Sequence, residues 1–129
     1  MAKGDGNPGF RSLGDNKAAF DGLETFERPE GLEEVTMTSD EVTAVCPVTG
    51  QPDWYLVEIR YEPAGRCIES KSLKLYLQSF RSVGVFCEQF AARIAGDVRD
   101  AIAPSFCRVR VTQKPRGGVS IVSEAEARA

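Results

Sequence analysis

The apolar residues of this chain change their spacing twice, and no other feature restricts the fold as strongly. From Trp54 to Tyr61 they alternate, with Tyr55, Val57, Ile59 and Tyr61 on one side and Glu58 and Arg60 on the other. That is the period of a half-buried strand. From Ser70 to Arg81 the period becomes helical: Leu73, Tyr76, Leu77 and Phe80 fall at i, i+3, i+4 and i+7, while Lys71, Lys74, Gln78 and Arg81 share the far side. A second helix is predicted over Phe86 to Ala103, with Cys87, Phe90, Ile94, Val98 and Ile102 on one stripe, Gly84 ahead of it and Pro104 behind. Phe106 to Gln113 alternates again, Pro115-Arg116-Gly117-Gly118 turns, and Val119 to Val122 forms the last strand. Upstream, the β-branched content of Val35 to Thr38 and of Val42 to Val45 suits extended chain. Pro47 to Asp53 reads as a turn, because its two prolines and its glycine suit neither a ladder nor a helix interior. The order is strand, strand, helix, helix, strand, strand, which predicts an α+β domain with an antiparallel sheet and both helices on one face.

A chain of 129 residues holds one such domain. Residues 1–32 are rich in Gly, Pro and charge and are expected to form an irregular arm, leaving 33–129 as the single domain. One sheet face covered by two helices makes a thin core, so oligomerisation is an expected remedy for marginal burial. The net charge of −3 and a pI near 5.1 argue against a nucleic-acid partner, which needs clustered Lys and Arg. No apolar run approaches the ~18–20 residues of a membrane helix. The opening MAKGDGNPGF has no secretory apolar stretch, so a cytoplasmic protein is expected.

Histidine is absent. Neither a Ser-His-Asp triad nor a Cys-His pair can be built, and any proton carrier must be Asp, Glu, Tyr, Lys or Cys. Four cysteines (Cys46, Cys67, Cys87 and Cys107) follow one another at intervals of about twenty, without a Cys-x-x-Cys pair. That spacing does not favour a zinc site, and no metal is expected.

Four short segments could carry chemistry. In Cys46-Pro47-Val48-Thr49-Gly50-Gln51-Pro52-Asp53 a rigid turn brings a carboxyl back beside a thiol, a nucleophile next to a proton donor. In Glu69-Ser70-Lys71-Ser72-Leu73-Lys74 a helix N-terminus, whose free N–H groups favour an anion, carries Lys71 and Lys74 on one side, within reach of one phosphate. Phe86-Cys87-Glu88 offers an aromatic face and a carboxylate for a purine-like N–H edge. Arg116 on the Lys114-to-Gly118 turn could fork a phosphate. Taken singly, each also fits a plain role: a buried cysteine beside a turn-capping aspartate, a solvated polar face, a carboxylate complementing a helix dipole, a hairpin turn.

Together the segments resemble the QueF family, the NADPH-dependent 7-cyano-7-deazaguanine reductases of queuosine biosynthesis, in their short single-module form. Glu-Ser-Lys-Ser-Leu-Lys-Leu-Tyr at 69–76, Cys-Pro-x-Thr-Gly-Gln-Pro-Asp at 46–53 and Pro-Arg-Gly-Gly at 115–118 carry the likeness, which spans roughly residues 35–122. The resemblance implies a tunnelling fold whose modules join into a ring, or two stacked rings, with active sites between subunits. It implies a covalent thioimide on Cys46, with Asp53 as proton donor and NADPH as reductant, yielding 7-aminomethyl-7-deazaguanine for tRNA modification. Ile68, Glu69, Ser70, Phe86, Cys87 and Glu88 would meet the substrate, and Ser70, Lys71, Lys74, Arg116 and Gly117 the cofactor. The family usually shows histidine where this chain has Cys87, which removes an imidazole beside the substrate. The rival readings are a QueF-like amidinotransferase acting on tRNA without NADPH, and a nitrile-binding module of the same fold with weak or no turnover.

Overall fold

In the computed structural model, residues 22–129 are described. Inward alternation builds the main sheet: Tyr55, Val57, Ile59 and Tyr61 are all within 1% of complete burial, each gaining on the order of 1.5–3 kcal/mol from leaving water. They lie on β3 (Pro52–Glu62), which pairs antiparallel with β2 (Val35–Val45) on one side and β5 (Phe106–Arg116) on the other; β6 (Val119–Ala127) completes the order β2-β3-β5-β6. The register sets Val57 against Val111, Ile59 against Val109 and Tyr61 against Cys107, so the inward rows of adjacent strands coincide. Helices α1 (Ser70–Gln78) and α2 (Cys87–Ile102) cover this one face. Phe90 of α2 is the joint between layers, its ring 5.1 Å from that of Tyr55 and 4.8 Å from that of Phe80. The outer face carries cross-strand charge pairs, Arg60 with Glu34 and Arg108 with Glu126, and three guanidinium groups gather about the Phe106 ring. No helix among the described residues is long and apolar enough to cross a membrane.

Several boundaries differ from the expectation. The two extended pieces at 35–38 and 42–45 are one strand, β2, whose register shifts between Ser39 and Val42. The bulge restores parity, so that Met37 and Ser39 before it and Val42 and Ala44 after it point to the core side. Pro52 and Asp53 belong to β3 and not to the turn, because a proline at the first strand position withholds no needed donor. The helix expected to reach Arg81 is α-helical only to Gln78 and continues as a 3₁₀ turn over Ser79–Ser82, which still buries Phe80. The last hairpin turns on Gly117 and Gly118 alone, with φ of 62° and 79°, the positive pair of a type I′ connection. Helix α2 ends on Ala103 in the left-handed region, φ 43°, ahead of Pro104.

The predicted strand and helix order also lacks two short strands. β1 (Thr25–Glu27) pairs with β4 (Arg66–Ile68) as a separate two-stranded sheet. Thus part of the arm expected to be irregular is a strand, held by backbone pairing that its composition does not announce; residues 1–21 of that arm lie outside the described residues.

The sheet has two distinct ends. At one, Val45 pairs with Pro52 and Arg116 with Val119; at the other, Val35 pairs with Tyr61 and Cys107 with Ala127. The ten residue steps of β2 from Val35 to Val45, at ~3.3 Å each, separate the ends by about 30 Å. Cys46 stands at the first end. β4 and the start of α1 stand at the second, where the Ile68 N–H donates to the Tyr61 hydroxyl at 2.9 Å.

Candidate active site

Cys46 is the first residue beyond the β2 ladder and is only partly buried. Its turn closes on itself: the Cys46 N–H donates to the Gln51 carbonyl at 2.8 Å and the Gly50 N–H to the Cys46 carbonyl at 2.8 Å, with Gly50 at φ 74°. A positive φ there is what glycine supplies without strain. Thr49 accepts a hydrogen bond from the Gln51 N–H at 3.2 Å, so its hydroxyl proton is free to point elsewhere. The Cys46 sulfur is within its influence. The Cys46 thiol is lowered to about 7, first by the Thr49 hydroxyl, then by the backbone N–H groups of Thr49 and Val48, with a smaller contribution from Arg116, while partial burial opposes the shift. At neutral pH about half the sulfur is thiolate, against a few per cent for an ordinary cysteine.

Asp53 shares the inward parity of Tyr55 and is 5% exposed. A carboxylate so buried requires a charged partner. Arg116 provides it, with Nε 2.8 Å from Oδ1, Nη2 3.4 Å from Oδ2, and Nη1 3.1 Å from the Gln51 side-chain oxygen. Beneath them Tyr55 donates to the Gln113 side-chain oxygen at 3.2 Å. Burial first, then the Asp53 charge, raises the Tyr55 hydroxyl well above its ordinary range, which keeps it a donor.

The start of α2 lies at this same end, because the Val45 N–H donates to the Val83 carbonyl at 3.0 Å and the Val85 N–H to the Val45 carbonyl at 3.1 Å. Phe86, 47% exposed, and Glu88 face outward. Cys87 does not. Its sulfur is buried between α2 and the β5–β6 pair, 3.3 Å from the Ser123 hydroxyl, and burial raises its thiol. It stands behind Phe86 and Glu88 as packing.

Ile68, Glu69, Ser70, Lys71 and Lys74 are at the far end of the sheet. Glu69, not Ser70, caps α1, accepting from the Lys71 N–H at 2.9 Å and the Ser72 N–H at 2.8 Å. These two bonds, the Lys71 one first, hold its carboxyl below the usual range. The helix terminus expected to attract an external anion is therefore already occupied by its own carboxylate. The exposed Lys71 and Lys74 keep their ammonium groups available. Lys74 and Ser70 border a groove of about 480 Å³ between α1 and β2, walled also by Thr36, Met37 and Leu73.

Within one chain, then, Cys46, Asp53, Phe86, Glu88, Arg116 and Gly117 form one cluster and Ile68, Glu69, Ser70, Lys71 and Lys74 another. Sequence reasoning passed over Thr49, Gln51, Tyr55 and Gln113. Thr49 was visible in the Cys-Pro-x-Thr run; Tyr55 and Gln113 look like ordinary strand residues until their pairing is known.

A family model described as "QueF-like protein" matches residues 52–129. The NADPH-dependent 7-cyano-7-deazaguanine reductase of Frankia casuarinae is 42% identical over 114 residues, covering 88% of this chain and 91% of that protein. The enzyme of the same name from an Anaeromyxobacter species is 48% identical over 105 residues, covering 80% and 86%. The chain belongs to the QueF-like family. Its fold is also that of the archaeosine synthase QueF-Like in the apo form, at TM-score 0.72 and 23% identity over 78% of this chain and 98% of that one. QueF-like membership covers the cluster from Pro52 onward directly, and the reductase relatives match most of the chain's length.

Proposed function

We propose that this chain reduces the nitrile of 7-cyano-7-deazaguanine to the aminomethyl group with NADPH, and that Cys46 does so covalently. The observation that carries the covalent step is the Cys46 thiol, lowered to about 7 and open at a strand end beside the buried Asp53. The relatives' shared name supports the substrate and the reductant.

The thiolate adds to the nitrile carbon: a carbon–sulfur bond forms, one carbon–nitrogen π bond breaks, and the nitrogen takes a proton that the Asp53 carboxyl relays from water. Two NADPH molecules in turn, their phosphates suited by the lysines of α1, would each supply one hydride, the first for the thioimide carbon and the second for the imine that follows. Between the two, sulfur departs as a thiolate, which the Thr49 hydroxyl and the neighbouring N–H groups stabilise as they did before attack. With Cys87 turned into the core, Asp53 is the titratable group beside sulfur that can carry the nitrogen's protons. The exposed Phe86 ring suits stacking on the base, and Glu88 suits its N–H edge.

The groove beside Ser70 and Lys74 has the size of a small-molecule site, and its lysines suit a nucleotide phosphate. It runs along β2 from Thr36 to Val42, and its Ser70 end is toward the sheet end opposite Cys46. One working site therefore draws Cys46, Asp53, Phe86, Glu88 and the Arg116–Gly117 turn from one copy, and Ile68, Glu69, Ser70, Lys71 and Lys74 from another. The outer edge of β6, and that of β2 short of its Val45 bridge to Gly84, leave backbone groups for joining copies into a ring.

The test is nitrile-dependent loss of NADPH absorbance together with intact-mass detection of a thioimide. Cys46→Ala should abolish both, and Asp53→Asn should bind the base but form the adduct slowly. Normal turnover in Cys46→Ala would end the covalent proposal; a stable adduct without NADPH consumption would leave a nitrile binder.

A further inference from the structure

Strict alternation along β5 would not aim Arg116 at Asp53. Gln113 faces inward, opposite Tyr55, so two residues on, at Pro115, the next inward position falls, and Arg116 would face out. The register shifts between Gln113 and Arg116, and Arg116 pairs with Val119, which has the inward parity of Ile121 and Ser123. An irregularity of this kind re-aims a side chain. Here it turns a guanidinium onto the inner face, and the two-glycine turn that follows fixes it there.

We infer that Arg116 is a positioning residue that holds the Asp53 carboxyl and the Cys46 turn in fixed relation, and that this, rather than anchoring a cofactor phosphate, is its main role. The inference rests on the reading of Cys46 as the nucleophile. Nε and Nη2 form the two-pronged contact with Asp53, at 2.8 and 3.4 Å, that a phosphate would otherwise take. Nη1 reaches the Gln51 side chain at 3.1 Å. Gln51 in turn accepts the Cys46 N–H on its carbonyl and donates its own N–H to Thr49. One planar group thus ties together the carboxyl, the turn and, through Thr49, the hydroxyl that faces sulfur. Lysine has the charge but not the fork.

The experiment uses the full chain and two readouts. Alkylation of Cys46 by iodoacetamide across pH, followed by peptide mass spectrometry, reports the thiolate without any nitrile chemistry. Single-turnover adduct formation and steady-state KM for NADPH report the reaction. In Arg116→Lys and Arg116→Ala the alkylation midpoint should rise above about 7. Adduct formation should slow on the order of tenfold to a hundredfold, as expected for a misplaced acid. The NADPH KM should change less than about twofold, since uniform binding is untouched. Arg116→Lys guards against a variant of Arg116→Ala that does not fold. An unchanged alkylation midpoint and adduct rate with a raised NADPH KM would overturn the inference and make Arg116 a phosphate anchor. A shifted midpoint in a protein whose unmutated form makes no adduct would uphold the positioning role and sink the nitrile mechanism instead.

Discussion

The Cys46 thiol is lowered chiefly by neighbours within a few residues. The Thr49 hydroxyl is the largest influence on the thiol, followed by the Thr49 and Val48 N–H groups, so the thiolate is stabilised by the same turn that exposes it. Adduct formation should rise with pH through a midpoint near 7 and level off above it, since the reacting form is the deprotonated one. Thr49→Val keeps the shape but removes the donor. The midpoint should then move up toward the ~8.5 of an unperturbed thiol, and adduct formation at pH 7 should fall on the order of tenfold. Thr49→Ser should restore the profile. Identical pH profiles in all three proteins would show that the hydroxyl does not face sulfur. Much of this was legible beforehand: the cysteine, the threonine and the aspartate stand within eight positions of one another, in a turn that proline and glycine announce.

The elements place those residues, and some are strained for it. Ala103 closes α2 at φ 43° and ψ 59°, donating its N–H to the Arg99 carbonyl at 2.9 Å. A non-glycine residue there costs roughly 1–2 kcal/mol. Replacing it with glycine raises the entropy of the unfolded chain, which costs roughly 0.4–1 kcal/mol. Strain is the larger effect, so Ala103→Gly should stabilise the fold by about 0.5–1 kcal/mol and raise Tm by a few degrees. A lower Tm in calorimetry would show the cap to be relaxed. Periods of two and 3.6 made the strands and helices legible as kinds. Their ends were not, because a bulge at Ser39–Val42 or a two-residue turn at Gly117–Gly118 depends on which strand lies alongside. β1 was invisible: Thr25-Phe26-Glu27 has no periodicity to speak of, and only Arg66 to Ile68 beside it makes a strand of it.

At the scale of the whole molecule the division of the site between two sheet ends makes a prediction of its own. A protein mixed from Cys46→Ala and Glu69→Gln subunits carries each half-site intact on a different copy. If the site is shared between copies, unfolding and co-refolding the two inactive variants should recover about one quarter of the native activity, the share of interfaces that unite the two intact halves. Size-exclusion chromatography of the mixture confirms assembly. Recovery of no activity from an assembled mixture would place the whole site within one chain.

The sequence by itself excluded histidine chemistry, and its motifs at 46–53, 69–76 and 115–118 carried the QueF resemblance, whereas each segment taken singly also fitted a plain role. Composition and periodicity also settled the class of fold, because apolar period dictates which surface can be buried. Three things only the tertiary structure decided. Cys87 faces the core, Arg116 faces Asp53 across a register shift, and Glu69 stands at the sheet end opposite Cys46. Each depends on the neighbour a strand or helix meets in space, and a linear spacing carries no information about that neighbour.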